Sequence, residues 1–190
     1  MFHPSNYLYS FDGAIITRLN PLSTQRSFEF EVTFHPHLWP RSLVSQKPPL
    51  HFHPHQEEYI QVVEGSLCVE IEGSEQVLTP ADGELCVKPW LNHRLYPPNE
   101  ILKAAAIEEG VDTTNDTTAG RDRGNDQIKF LLAGEETAKS FRLDTIFFEN
   151  WYGYQDEVIL GGKRMDLIQV MCVCYFGSYI HEWVLFIDLY

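Results

Sequence analysis

The chain has 190 residues, 44% of them hydrophobic and 22% charged, which is the size and balance of one globular domain with appendages. A formal net charge of -13 argues against a nucleic-acid binder, whose partner's phosphates demand basic patches, and against attachment to anionic lipid by charge. The first residues lack a basic region followed by an apolar core, so no signal peptide is read; the expected compartment is the cytoplasm, with Cys68, Cys86, Cys172 and Cys174 reduced and packed.

Tyr7, Tyr9 and Phe11 alternate before Asp12 and Gly13, which suggests an arm or an edge strand. Residues 14–19 are a short strand candidate, stopped by Asn20 and Pro21. Residues 27–34 have the clearest period of two in the chain: Phe28, Phe30, Val32 and Phe34 share one face, and Glu29, Glu31 and Thr33 the other. One buried and one wet face fits an antiparallel sheet. His35 and His37 follow, either as a second ligand pair or as a plain strand end. Pro40, Pro48 and Pro49 mark an irregular approach to the next stretch.

That stretch is the densest in chemistry. His51, His53, His55, Glu57 and Glu58 place three imidazoles and two carboxylates in eight residues, the ligand types that first-row divalent metals take. On a strand, His51 and His53 point to one face and can reach one ion together. Glu58 has the wrong parity on an unbroken strand. Pro54 resolves this, because it ends or bulges a strand. Residues 54–57 are then a short loop, and Glu58 opens a new strand pointing back at the ion. His55 shares parity with the first two histidines but follows the turn, so it is read as rim, and Glu57 as solvent-facing. A further ligand should lie on a later strand, and His93, after Gly83 and Pro89, is the candidate.

These residues resemble the two motifs of the cupin family. His51, His53, Glu58 and Gly65 match the first, HxH(x)4E(x)6G, residue by residue; Gly83, Pro89 and His93 match the second, G(x)5PxGxxH(x)3N, in part. Ser45 stands where a glycine precedes the first motif, the interval from Pro89 to His93 is one residue short, and Pro97 takes the asparagine place. The resemblance, over about residues 10–110, implies an all-β fold, a cupin (jelly-roll) β-barrel. It also implies one divalent transition metal (Fe, Mn, Ni, Cu or Zn) held by His51, His53, Glu58 and His93. Trp90, Tyr96 and the Phe28 face either shape the pocket or simply pack the core.

After the metal stretch, residues 66–72 and 75–79 alternate around a Gly73–Ser74 turn, and residues 84–88, 92–96 and 101–108 complete the strands. Residues 111–128 read as a flexible polar loop, a linker or a lid. Residues 129–190 read as a C-terminal segment, partly helical, packing on the barrel or on a partner. Within it, residues 145–160 have helical spacing broken by Gly161 and Gly162, and a second helix opens at Asp166. The uncharged run 167–180 is shorter than the ~20 residues a spanning helix needs. The tail also resembles that of fungal cupins of secondary metabolism.

The leading expectation is therefore a metal-dependent enzyme on a small aromatic or polyketide-like molecule, working as a homodimer. The reaction is either dioxygenase-type oxygenation or redox-neutral isomerisation or cyclisation. The alternatives are a ligand-binding cupin without turnover and an interaction protein using its hydrophobic C-terminus.

Overall fold

A computed structural model describes residues 6–21, 25–108, 127–139 and 142–164. The strands are β1 (Tyr7–Ser10), β2 (Ile15–Leu19), β3 (Arg26–Phe34), β4 (Glu58–Glu64), β5 (Leu67–Ile71), β6 (Ser74–Leu78), β7 (Glu84–Val87), β8 (His93–Tyr96) and β9 (Ile128–Glu135), with helices α1 (Asn99–Glu108) and α2 (Thr145–Ile159). Two antiparallel sheets form, in the orders β1-β2-β3-β9-β4-β7 and β6-β5-β8. Among the described residues they are separate sheets rather than one hydrogen-bonded cylinder, so the jelly roll is an open one.

The core joins both sheets. Phe28, Phe30, Val32 and Phe34 are buried from β3, as their alternation requires, and meet Ile60 and Val62 of β4 and Leu67 and Val69 of β5. Burial of such side chains contributes roughly 1.5–3 kcal/mol each. Glu72 and Gly73 both have positive φ, at 49° and 79°, and close the β5–β6 hairpin as a two-residue turn, one position earlier than expected.

Two expectations are corrected. Residues 101–108 are helix α1, not a strand: Leu102, Lys103 and Ala104 to Ala106 are strong helix formers, and the amides of Ile101 and Leu102 turn back to the Pro98 carbonyl. The segment from 129 is also no appendage, because β9 lies in the centre of the six-stranded sheet between β3 and β4. The boundary at 128 therefore cuts a core strand, with Ile128 already paired to Phe34.

Helix α2 has its expected bounds. The Asp144 side chain caps it by accepting from the Phe147 amide at 2.9 Å, and Phe148 enters the core against Phe28 and Phe30, with ring centroids 4.7 and 5.0 Å away. Asp156 anchors its far end by accepting from the Phe11 amide at 2.8 Å. Asp144→Ala is expected to cost about 1 kcal/mol, roughly 2–4 °C in Tm, read by thermal unfolding; an unchanged Tm would mean that the cap is redundant.

Among the described residues no helix is long and apolar enough to cross a membrane. The expected loop to 126, the helix opening at Asp166, the 167–180 run, Cys172 and Cys174 lie outside the described residues. Cys68 and Cys86 are free thiols, Cys68 buried and Cys86 half-buried.

Candidate metal centre

The β sheets bring His51, His53, Glu58 and His93 together. One ligand atom from each lies within 4.8 Å of the others, and no other group of three or more such side chains among the described residues does this. Pro54 interrupts the chain as its chemistry predicts, and residues 52–57 are irregular, so that Glu58 can begin β4 facing inward. It sits in one inward row with Phe28 of β3, Gly134 of β9 and Val87 of β7. His51 and His93 pair as an antiparallel bridge: the His51 amide donates to the His93 carbonyl at 3.1 Å and the return bond is 2.8 Å. The Trp90 amide donates to the His53 carbonyl at 3.0 Å, extending this contact by one step. Backbone pairing between the two motif segments thus sets the imidazole spacing, with ring centroids 4.4 Å apart for His51–His93 and 5.1 Å for each of the other two pairs.

Three of the four are buried: His53 at 9%, Glu58 at 4% and His93 at 1% exposure, while His51 keeps solvent contact and marks the open side. Glu58 Oε2 is 3.2 Å from His53 Nε2, and Oε1 is 3.5 Å from His93 Nε2. Even so, His53 Nε2, His93 Nε2 and Glu58 Oε1 are buried without a hydrogen-bond partner. Leaving such groups unsatisfied costs about 1–3 kcal/mol each, more for charged ones. Three of them aimed at one point is the arrangement a cation resolves. His93 Nδ1 faces the Leu91 carbonyl at 2.9 Å, which holds the proton on Nδ1 and leaves Nε2 with its lone pair toward the site. His51 Nδ1 faces the Pro49 carbonyl at 3.4 Å in the same sense.

The electrostatics agree. Although His51 keeps solvent contact, desolvation by the protein packed around its ring, with His53 and His93 beside it, holds the imidazole down to about 4, so this ring is neutral near pH 7. Burial would push Glu58 up, but His53 and His93 outweigh it and keep the carboxyl well below the usual range. Burial likewise lowers His93, and the Glu58 carboxylate more than reverses this. The neutral His51 ring and the ionised Glu58 carboxylate, with the His53 and His93 imidazoles, form a nitrogen-and-oxygen donor set suited to Fe, Mn, Ni, Cu or Zn.

The remaining sequence candidates lie elsewhere. His55 stands edge-on to Trp90, 6.1 Å between centroids, outside the cluster. Trp90 is 62% exposed and stacks on Phe52, so it does not line a closed pocket. The Tyr96 hydroxyl turns to Glu70 and Glu75. Phe28 packs the core beside Glu58. His35 and His37 line a cleft of about 500 Å³ with Tyr9, Asp12 and Leu38 at the Phe34 end of β3, whereas the four-residue cluster adjoins the Phe28 end.

Glu57 lies outside the cluster but is not simply solvent-facing: it is half-buried in a polar knot. Lys88 Nζ and the Tyr59 hydroxyl each donate to it at 2.6 Å, and these two contacts pull its pKa down to about 2 from the ordinary 4.5. A depressed carboxylate stabilises the fold above its unfolded pKa and loses that contribution as pH falls through the folded one. Glu57→Gln is therefore expected to flatten the loss of stability between pH 4.5 and 2, measured by urea unfolding at several pH values. An unchanged slope would mean that Lys88 and Tyr59 exert no such hold.

Sequence reasoning missed Gln56 and Gly134. Gln56 is 2% exposed and bonds to three distant segments, and a Cβ on Gly134 would lie 2.3 Å from the Phe28 ring. Neither has a local signal, because both roles are defined by chain segments far away in sequence.

No family model matches the chain. It is 37% identical over 188 residues to an oxidoreductase of Arthrobotrys oligospora, covering 95% of this chain and 65% of that protein. It is 33% identical over 172 residues to a probable oxidoreductase, yanE, of Aspergillus niger, covering 87% and 58%. It is 30% identical over 126 residues to an epoxidase, atD, of Aspergillus terreus, covering 66% and 32%. The chain thus spans less than two thirds of each relative's length. Among solved structures, the cupin domain of Schizosaccharomyces pombe Cnp3 matches with a TM-score of 0.42 at 7% identity, covering 70% of each chain. KdgF from Halomonas sp. matches with a TM-score of 0.38 at 14% identity, covering 65% of this chain and 82% of that one.

Proposed function

We propose that the chain is a cupin and the metal-dependent unit of an oxidoreductase acting on a small aromatic or polyketide-like molecule of secondary metabolism. The observation that carries this is the set of buried, unpartnered atoms of His53, His93 and Glu58 facing one another, with His51 at the open side. His51, His53, Glu58 and His93 would hold one divalent ion. When bound, such an ion supplies Lewis acidity and, if redox-active, electron transfer with oxygen or a chelated substrate. The protein's own part is to fix the histidine tautomers through the Leu91 and Pro49 carbonyls, to bury three donors and to leave the His51 side open for substrate. The relatives named oxidoreductase and epoxidase favour oxidation over isomerisation or cyclisation.

Elemental analysis of protein purified without added metal is expected to find about one transition-metal ion per chain. Oxygen uptake by the Fe(II)-loaded protein with small phenols and β-diketones is the second expected result. Turnover without oxygen consumption would favour the redox-neutral reading. Metal bound with no turnover at all would favour a ligand-binding protein.

A further inference from the structure

Gln56 lies in the loop between two of the four cluster residues, His53 and Glu58, yet its side chain points away from them into the protein. At 2% exposure it uses every polar atom it has. The two N–H groups of Nε2 are shared among three acceptors, Ser27 Oγ at 2.6 Å, the Glu135 carbonyl at 2.8 Å and the Leu143 carbonyl at 3.2 Å, while Oε1 accepts from the Leu143 amide at 2.7 Å. Ser27 is the second residue of β3, Glu135 ends β9, and Leu143 precedes the capping residue of α2. One side chain therefore ties the short loop to three separate segments. The single Ser27 hydroxyl proton reinforces the knot, with the Leu143 carbonyl at 3.1 Å and the Gly134 carbonyl at 3.4 Å from Oγ as its acceptors. Gly134 is the cross-strand partner of Glu58, and a Cβ there would stand 2.9 Å from Gln56 Nε2, so the amide also occupies the space beside the carboxylate's own row.

We propose that Gln56 is a positioning residue of the metal centre, holding the 54–57 loop so that His53 and Glu58 keep the spacing a single ion needs. This rests on the metal reading of the cluster. Within the loop the backbone is held at its far end, where the Glu57 carbonyl accepts from the Glu135 amide at 2.9 Å, and the Gln56 side chain ties down its middle. Four hydrogen-bond contacts from its middle, the two to Leu143 buried and those to Ser27 and Glu135 part-buried, reinforce it, in the way that partners behind metal ligands orient them. Outer partners of this kind typically change metal affinity by about 10–100-fold.

The test uses the full chain, with cobalt(II) as a spectroscopic probe and zinc(II) competed against a chelator. Gln56→Met keeps the bulk and removes all four bonds. It is expected to weaken zinc binding at least ~10-fold and to alter the cobalt ligand-field spectrum. Ser27→Ala, which removes one of the four bonds, is expected to move both readouts less and in the same direction. An affinity and a spectrum equal to wild type in Gln56→Met, whatever its Tm, would overturn the proposal and leave Gln56 as packing. If Gln56→Met does not fold, wild-type values in Ser27→Ala overturn it instead. A wild-type chain that takes up no cobalt overturns the metal reading first, and this inference with it.

Discussion

Replacing His93 with alanine is expected to abolish stoichiometric metal uptake, weakening affinity by at least about 100-fold. That bound exceeds the 10–100-fold cost of losing even an outer partner of a metal ligand. His93 is the most deeply buried of the four, and its Nε2 has no alternative partner. Its backbone bonds to His51 survive the substitution, so strand pairing should persist while the donor is lost. His51→Ala removes the exposed donor and is expected to weaken binding in the same direction but less steeply, because water can take its place. Metal content after dialysis, measured beside circular dichroism, separates ligand loss from unfolding. Full retention of the ion by folded His93→Ala would show that the cluster is not the site.

The second large effect is at Gly134. A Cβ there would fall 2.3 Å from Phe28 Cε1, closer than real Cβ contacts come, and the Phe28 ring is already packed by Phe30 and Phe148. The cost of forcing a group into such a core is about 1–3 kcal/mol, so Gly134→Ala is expected to lower Tm by roughly 2–12 °C. Phe28→Leu in the same chain makes room and should recover part of the loss, giving a double-mutant coupling of roughly 0.5–3 kcal/mol. Strict additivity of the two single costs would show that the ring is not what the new methyl meets. Because Glu58 is cross-strand to Gly134, the same substitution should also weaken metal binding, whereas Asp144→Ala, at the start of α2, should leave it nearly unchanged.

A good part of this was legible in the sequence because it depends on local period and local chemistry. The alternation of Phe28 to Phe34 fixed which face of β3 is buried, the proline at 54 explained how Glu58 regains the face of His53, and the 145–160 spacing gave α2 its bounds. The error at 101–108 was one of precedence. A run of alanines after two prolines has strong helical propensity, and the expectation of one more strand overrode it.

What the chain order alone determined is the set of donors and the turn that aims them: two imidazoles two residues apart, a breaker, a carboxylate and a later histidine. Only the tertiary structure decided that β9 is threaded between β3 and β4, that Gly134 must stay bare beneath Phe28, and that Gln56 locks the ligand loop to three remote segments. The physical reason is separation along the chain. A side chain's period or a proline's missing N–H acts on its immediate neighbours, while a cross-sheet row or a buried amide's partners exist only after distant strands have paired.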